Sequence, residues 1–414
     1  MASFRFRCTE CNAEYGEDPA RLVCSVCAGT QQRGGPVRGA LEVVLDGLPD
    51  AWPDAVPDSH RFLTDFLPVS DATALPPLPV GNTPLLTVPA LREHLGLPHL
   101  WVKDDTRNPS GSTKDRASLL VVAKAREYGL ETVATASTGN AATALAAVGA
   151  AAGIRAVVFV PASAPQAKLV QLLSYGATVF RVDGTYDDAF DLCLDACSEF
   201  GWYNRNTGLN PFTVEGKKTA ALEISAACGS EHIDVVLVPT GDGVILSGVA
   251  KGFADLTRAG LIVGPPRLIA VQPDSSAAIA HAIQDGADAV TPVLGAHSIA
   301  DSLTVETPRN AIRCLRDIRT SGGSAVTVSD RQIVDAIPRL ARSTGVFAEP
   351  AAAAVLAGLE VALGQGLVER GERIVLLVTG SGLKDVASAA KAIETPEPIP
   401  ASLAAVAARL DRGA

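Results

Sequence analysis

The sequence predicts an α/β protein with two parallel-sheet lobes facing a shared cleft, preceded by a small four-cysteine module. Three observations predict it. From His99 onward, short apolar runs alternate with helical patterns, as parallel strands covered by helices on both faces require. The alternation breaks at Asn210-Pro211 and restarts, which makes two blocks. Four cysteines in two close pairs crowd the amino-terminal end.

In chain order, residues 1–36 form the cysteine module and residues 37–82 a Pro-, Asp- and Leu-rich arm without a clear period. Leu100–Lys103 reads as a strand, Lys114–Tyr128 as a helix, Thr132–Thr135 as a strand and Asn140–Ala152 as an Ala-rich helix. Ile154–Val160 is apolar except for Arg155, as in a strand buried on both faces. Gln166–Tyr175 (helix), Thr178–Val182 (strand) and Tyr186–Phe200 (helix) close the first block. The second runs through a helix at Gly216–Cys228, a strand at Ile233–Val238 and a helix at Val244–Arg258. Further strands follow at Leu268–Val271, Ala325–Val328 and Ile374–Val378. Glu394–Pro400 is a Pro-rich linker and Ala401–Arg412 an amphipathic tail helix.

The 414 residues, 47% apolar and 19% charged, suit a globular chain with a sizeable core. A net charge of −10 argues against a nucleic-acid partner. Met1–Arg7 lacks a signal-peptide core and no uncharged apolar run is long enough to span a membrane, so a cytoplasmic location is expected. There the cysteines stay reduced. Cys8, Cys11, Cys24 and Cys27, spaced C-x2-C-x12-C-x2-C, bring four thiolates to one tetrahedral ion, so structural zinc is expected. Cys193, Cys197, Cys228 and Cys314 read as core residues.

Ligands of parallel sheets bind beyond the carboxyl ends of the strands. Four stretches fall there. In Asn108–Arg116, Pro109 and Gly111 precede a helix that opens at Lys114, with Ser112 or Thr113 as its cap. The positive end of the helix dipole disfavours charge on that lysine, and a neutral amine is what carbonyl condensation needs. Ser137-Thr138-Gly139-Asn140 opens a helix whose free N–H groups suit a carboxylate. Pro239-Thr240-Gly241-Asp242-Gly243 could cradle a phosphate, with Asp242 out of place unless its side chain turns away. Thr379–Asp385 offers a hydroxyl to a heterocyclic nitrogen. Each stretch alone is equally an ordinary helix cap or glycine turn. The six histidines are scattered and assemble no Ser/His/Asp constellation.

Taken together and in order, these stretches resemble the motifs of fold-type II (tryptophan synthase β-like) pyridoxal-phosphate enzymes: Asn108–Arg116, Ser137–Asn140, Gly241–Ile245, Glu349-Pro350-Ala351 and Thr379–Asp385. Within that superfamily, Gly81–Leu85, Asn210-Pro211, Glu215–Thr219, the Thr-Gly-x-Gly-Leu-Lys-Asp ending and the four-cysteine ribbon are most similar to the threonine synthase family. The resemblance implies that Lys114 carries the cofactor and moves the Cα proton. It gives the cofactor phosphate to the N–H groups of Gly241, Asp242, Gly243, Val244 and Ile245, the ring's phenolic oxygen to Asn140 and its nitrogen to Thr379. Ser137, Thr138 and Gly139 would receive the substrate carboxylate, with Asn206, Thr207 and Lys217 as further substrate contacts. Residues 83–106 and 212–393 would form the large cofactor lobe, 107–211 the small lobe and 394–414 the linker and tail, in a homodimer.

The chain departs from that family at the substrate end. Thr213 stands where the family usually carries an arginine associated with the phosphate of O-phosphohomoserine, Asp242 replaces an asparagine, and Lys217 replaces a glutamine. Losing a forked cation and gaining a carboxylate disfavour a dianionic group. Three readings follow: a threonine synthase converting O-phospho-L-homoserine and water to L-threonine and phosphate; a relative performing β-elimination or β-replacement, such as an ammonia-lyase or a cysteate synthase; or an inactive binding protein, which the intact loop set argues against.

Overall fold

The computed structural model describes residues 3–32, 34–52, 63–70, 72–164, 166–229 and 231–410. His60, the middle of the arm and the last residues of the tail helix lie outside the described residues.

Thirteen strands are described: β1 (Phe4–Cys8), β2 (Glu14–Tyr15), β3 (Leu41–Leu45), β4 (Leu85–Leu86), β5 (Leu100–Asp104), β6 (Thr132–Ala136), β7 (Arg155–Pro161), β8 (Thr178–Val182), β9 (Tyr203–Asn204), β10 (Val235–Pro239), β11 (Arg267–Pro273), β12 (Ser324–Val328) and β13 (Ile374–Val378). They form three sheets, ordered β2-β1-β3, β8-β7-β6-β9 and β12-β11-β10-β13-β5-β4. The four-stranded sheet is parallel throughout. So is the six-stranded sheet, apart from the antiparallel edge strand β4. Strands β6, β10 and β13 are fully buried along their length, which is why they read as unbroken apolar runs.

Helices cover both sheets. Asn140–Ala152 and Tyr186–Phe200 keep the expected limits, the latter fixed by a capping box of Thr185 and Asp188. Val244–Arg258 also matches. Two differences have clear physical causes. The single helix expected at Gly216–Cys228 is two, Phe212–Lys217 and Thr219–Cys228, and the first begins four residues earlier, where the Asn210 side chain accepts the Phe212 N–H. Gly216 is inside that helix because a Cβ there would sit 2.9 Å from the Arg116 carbonyl carbon; the glycine lets two helices touch backbone to backbone. Strand β3, in the segment read as arm, pairs with β1 over five residues, so the sheet of the cysteine module extends beyond residue 36.

That module shares its core with the helix at Lys114–Glu127. Phe4, Phe6, Cys8 and Cys24 pack in one apolar cluster with Leu119, Leu120, Val122 and Phe212. Beneath the start of the same helix lies a buried ion network. Arg116 forks to Asp105 at 2.7 and 2.8 Å and to Glu223 at 2.5 and 2.8 Å, and Lys103 meets Glu223 at 2.7 Å. The Asn82 N–H joins it at 2.9 Å, and the Gly81 N–H donates to Asn108 at 2.9 Å. The motif Gly81–Leu85 thus pins the loop that leads to Lys114. Among the described residues no helix is long and apolar enough to cross a membrane. The tail helix Leu403–Leu410 buries no residue.

Candidate active site

The loops that follow β5, β6, β9, β10 and β13 all leave the carboxyl ends of their strands. The β5 loop ends at Lys114, the first residue of its helix, whose N–H lies 3.4 Å from the Ser112 hydroxyl; Thr113 makes no side-chain cap. This loop is stitched to the β13 loop. The Thr113 N–H donates to the Thr379 carbonyl at 2.8 Å, and the Ser381 N–H to the Gly111 carbonyl at 2.9 Å. Lys384 reaches the Ser110 carbonyl at 3.0 Å. Thr379 is buried directly after β13.

Burial of the Lys114 amine lowers its pKa to about 8. The Arg205 guanidinium pushes it the same way, and the carboxylates of Asp242 and Glu349 oppose. These influences bring Lys114 together with residues from both lobes. Its neighbour Asp115 is raised to about 6 by burial, against hydrogen bonds from Ser110. Glu349, raised by burial, accepts the Asn140 amide at 2.9 and 3.2 Å and so ties the two lobes across the site. Gly380 packs against that carboxylate so closely that no Cβ would fit.

Two sets of backbone N–H groups in these loops donate to no acceptor among the described residues. In the β10 loop, the N–H groups of Gly241, Asp242, Gly243, Val244 and Ile245 donate to no acceptor among the described residues. Gly243 takes φ +87°, and a Cβ there would lie 2.6 Å from the Cys314 Cβ. The Asp242 carboxylate turns aside to accept the Arg309 N–H at 2.9 Å, and the Asp242 carbonyl accepts the Asn310 N–H at 3.1 Å. The carboxylate is therefore bonded to the outer loop, while its charge still reaches Lys114 and Lys217. In the β6 loop, the N–H groups of Thr138, Asn140 and Ala141 likewise meet no described acceptor, and Ser137, Thr138 and Gly139 are half-buried. Both loops present helix amino termini without an acidic residue in the first turn, a good fit to anions.

The β9 loop carries Asn206 and Thr207, which the sequence reading gave as substrate contacts. The Asn206 side-chain oxygen accepts the Ala136 N–H at 2.7 Å, while its Nδ2 is buried without a partner among the described residues. Thr207 accepts from Arg205 at 3.1 Å. The Lys217 amine is buried without a partner among the described residues. Thr213 spends its hydroxyl on the Asn210 carbonyl.

At the other end, the sulfurs of Cys8, Cys11, Cys24 and Cys27 lie within 4.8 Å of one another, with Cys8–Cys27 at 3.8 Å and Cys11–Cys24 at 3.6 Å. Four thiolates around zinc at about 2.3 Å stand about 3.8 Å apart, so the spacing fits. Cys193, Cys197 and Cys314 are buried in the core, and Cys228 is half-buried.

Comparison with known proteins decides the family. The family described as pyridoxal-phosphate dependent enzyme matches residues 77–380. The threonine synthase of Methanocaldococcus jannaschii is 36% identical over 391 residues, covering 94% of this chain and 95% of that one. The chain belongs to the threonine synthase family of pyridoxal-phosphate dependent enzymes. The threonine synthase of Methanosarcina acetivorans agrees, at 35% identity over 97% of this chain and 98% of its own. Among solved structures, threonine deaminase isoform 2 from Solanum lycopersicum superposes with a TM-score of 0.64 at 20% identity, over 84% of this chain and 97% of that chain. A fungal L-serine ammonia-lyase from Rhizomucor miehei also gives 0.64 at 20% identity, over 75% of this chain and 97% of that chain. These two establish the fold alone. A family member of this kind is a pyridoxal-phosphate-dependent lyase.

The sequence singled out Lys114, both N–H loops and Thr379, and the structure gathers their loops at one end of the sheets. Missed were Arg205, Arg309 and a partner for Asn140. Arg205 follows a two-residue strand too short to show a period.

Proposed function

We propose that this chain is a threonine synthase that converts O-phospho-L-homoserine and water to L-threonine and phosphate. The observation that carries the reading is a lysine amine with its pKa lowered to about 8, set among loops whose N–H groups lack protein acceptors, in a chain alike to threonine synthases along nearly its whole length. Pyridoxal phosphate, when bound, supplies the sink for negative charge that develops beside the substrate amino group. The residues supply the rest. Lys114 is its covalent anchor. As an amine neutral close to working pH, it can also take a proton from Cα and return it. The cradle Gly241–Ile245 holds the cofactor phosphate on five N–H groups. Ser137, Thr138 and Gly139 orient the substrate carboxylate. Thr379 places a neutral hydroxyl at the ring nitrogen, which leaves that nitrogen without a carboxylate to hold a proton on it. Asn140 faces the phenolic oxygen with the amide that Glu349 orients.

The reading extends to 83–106 and 212–393 as the cofactor lobe and 107–211 as the small lobe, to zinc held by Cys8, Cys11, Cys24 and Cys27, and to a cytoplasmic homodimer. Purified protein should show the visible absorbance of lysine-bound cofactor and release phosphate from O-phospho-L-homoserine; Lys114→Ala should lose both. Ammonia and a 2-oxo acid formed from threonine, with no phosphate released from the ester, would instead support the β-eliminating relative.

A further inference from the structure

Most buried charges in this molecule are answered. Arg116 and Lys103 share Asp105 and Glu223. Lys218 and Lys251 share Glu215 and Asp255. Two cations beside the reactive lysine are exceptions. Arg205 is fully buried; its Nε and Nη1 meet only the neutral hydroxyls of Ser118 and Thr207, and its Nη2 meets no described partner. Lys217 is 1% exposed and its amine meets none either. Each also lies within electrostatic reach of Lys114. The Asn206 Nδ2 is a third buried donor without an acceptor.

Their placement is built in from two sides. Arg205 leaves β9 beside β6, with its N–H on the Ala134 carbonyl at 2.8 Å. Lys217 ends the helix Phe212–Lys217, wedged between the helices that begin at Lys114 and Val244. Gly248 admits it: a Cβ there would lie 2.5 Å from the Lys217 Cβ. The carboxylates within electrostatic reach, Asp115 for Arg205 and Asp242 for Lys217, bond elsewhere, Asp115 to the Ser110 N–H and hydroxyl and Asp242 to the Arg309 N–H. Burial and the neighbouring Lys114 and Arg205 push the Lys217 amine well below the ordinary lysine value; a dianion would reverse that push, and a forked guanidinium beside such an amine is a strong host for one.

We propose that Arg205 and Lys217, with the Asn206 amide, form the subsite for a doubly charged phosphate on the side chain of the amino-acid substrate, in place of an arginine at Thr213. The proposal rests on the phosphorylated substrate of the preceding section. The cofactor phosphate and the substrate carboxylate already have their own N–H loops, so this third site is left for a third anion. It also accounts for Thr213: with two cations supplied from elsewhere, its hydroxyl is free to serve the helix turn.

The test uses holoenzyme and the phosphonate analogue of O-phospho-L-homoserine, in which a methylene replaces the ester oxygen, with L-homoserine as the uncharged control. Affinity is read from the change in cofactor absorbance. Arg205→Gln and Lys217→Gln should each weaken the phosphonate by roughly tenfold to a hundredfold, the scale of one charged hydrogen bond. L-homoserine affinity and cofactor content should stay as in wild type. Ligand-free Lys217→Gln should melt at or above the wild-type temperature, because a buried amine with no described hydrogen-bond partner has been removed. Equal weakening of both ligands, unchanged phosphonate affinity, or a lower melting temperature for Lys217→Gln would overturn the subsite. A wild type that binds the phosphonate through these residues yet makes no threonine would support the subsite and reject the substrate reading. A wild type that makes threonine while the variants bind the phosphonate undiminished would do the reverse.

Discussion

An unperturbed lysine amine stays charged to about pH 10.4, whereas burial brings that of Lys114 to about 8. Cofactor-free protein should therefore condense with pyridoxal phosphate at a rate that rises through a midpoint near pH 8 and then levels, and Lys114→Ala should not react. A midpoint above 10 would show an amine in ordinary water. The same shift has a stability consequence. Because the native value lies below the unfolded one, the unfolded chain holds the extra proton between pH 8 and about 10.4, and this group adds stability as pH rises through that window. Denaturant melts of Lys114→Met and wild type should accordingly converge from pH 8 to pH 10. At this scale the sequence was most readable where a residue sits in a motif with fixed neighbours, as Lys114 does. It was least readable at Arg205, whose meaning comes from lacking a carboxylate, a property of the packed surroundings.

Strand ends and helix starts carry the site, so the elements must be held rigidly. The network of Arg116, Asp105, Glu223 and Lys103 does this for the Lys114 helix. Attraction to Arg116 and Lys103 outweighs burial and holds Glu223 well below the usual carboxylate range. Its stabilisation is complete above the unfolded carboxylate value of about 4.3 and is lost as pH falls through the depressed native one. Glu223→Gln should cost about 3–5 kcal/mol, since it leaves a buried guanidinium partly unanswered; urea unfolding measures it, and a loss under about 1 kcal/mol would show the network to be dispensable. Gly243→Ala meets both a left-handed backbone and Cys314. It should weaken cofactor binding by about tenfold or more through displacement of the cradle, as equilibrium dialysis against pyridoxal phosphate would reveal. Alternation placed nearly all these elements from the sequence, because strands buried on both faces cannot be polar. The helix at Phe212 escaped because its cap follows from a side-chain bond of Asn210, and Gly216 imitated a helix start.

The whole molecule joins the cysteine module to the loops of the candidate site. The Arg309 carbonyl accepts the Val37 N–H at 2.8 Å, while its guanidinium reaches the Gly35 carbonyl at 3.1 Å and pairs with Asp187 at 2.7 Å, and its backbone N–H goes to Asp242. Phe4 and Phe6 pack edge-on against Phe212, which opens the helix bearing Lys217. Stripping the zinc proposed at the four cysteines with a chelator should thus weaken cofactor affinity several-fold, measured by dialysis, without abolishing the absorbance of bound cofactor; an affinity indifferent to the chelator would mean that the module is only attached. None of this was visible in spacing alone, since the cysteines announce a metal but not what the module leans on. At the same scale stands the chemistry itself, elimination followed by hydration, in which the carbon–oxygen bond breaks and water supplies the new hydroxyl. The most direct measurement is turnover of O-phospho-L-homoserine in heavy-oxygen water with mass analysis of both products. The account predicts one heavy oxygen in the hydroxyl of L-threonine and none in the phosphate; heavy oxygen in the phosphate, with homoserine as the other product, would contradict it.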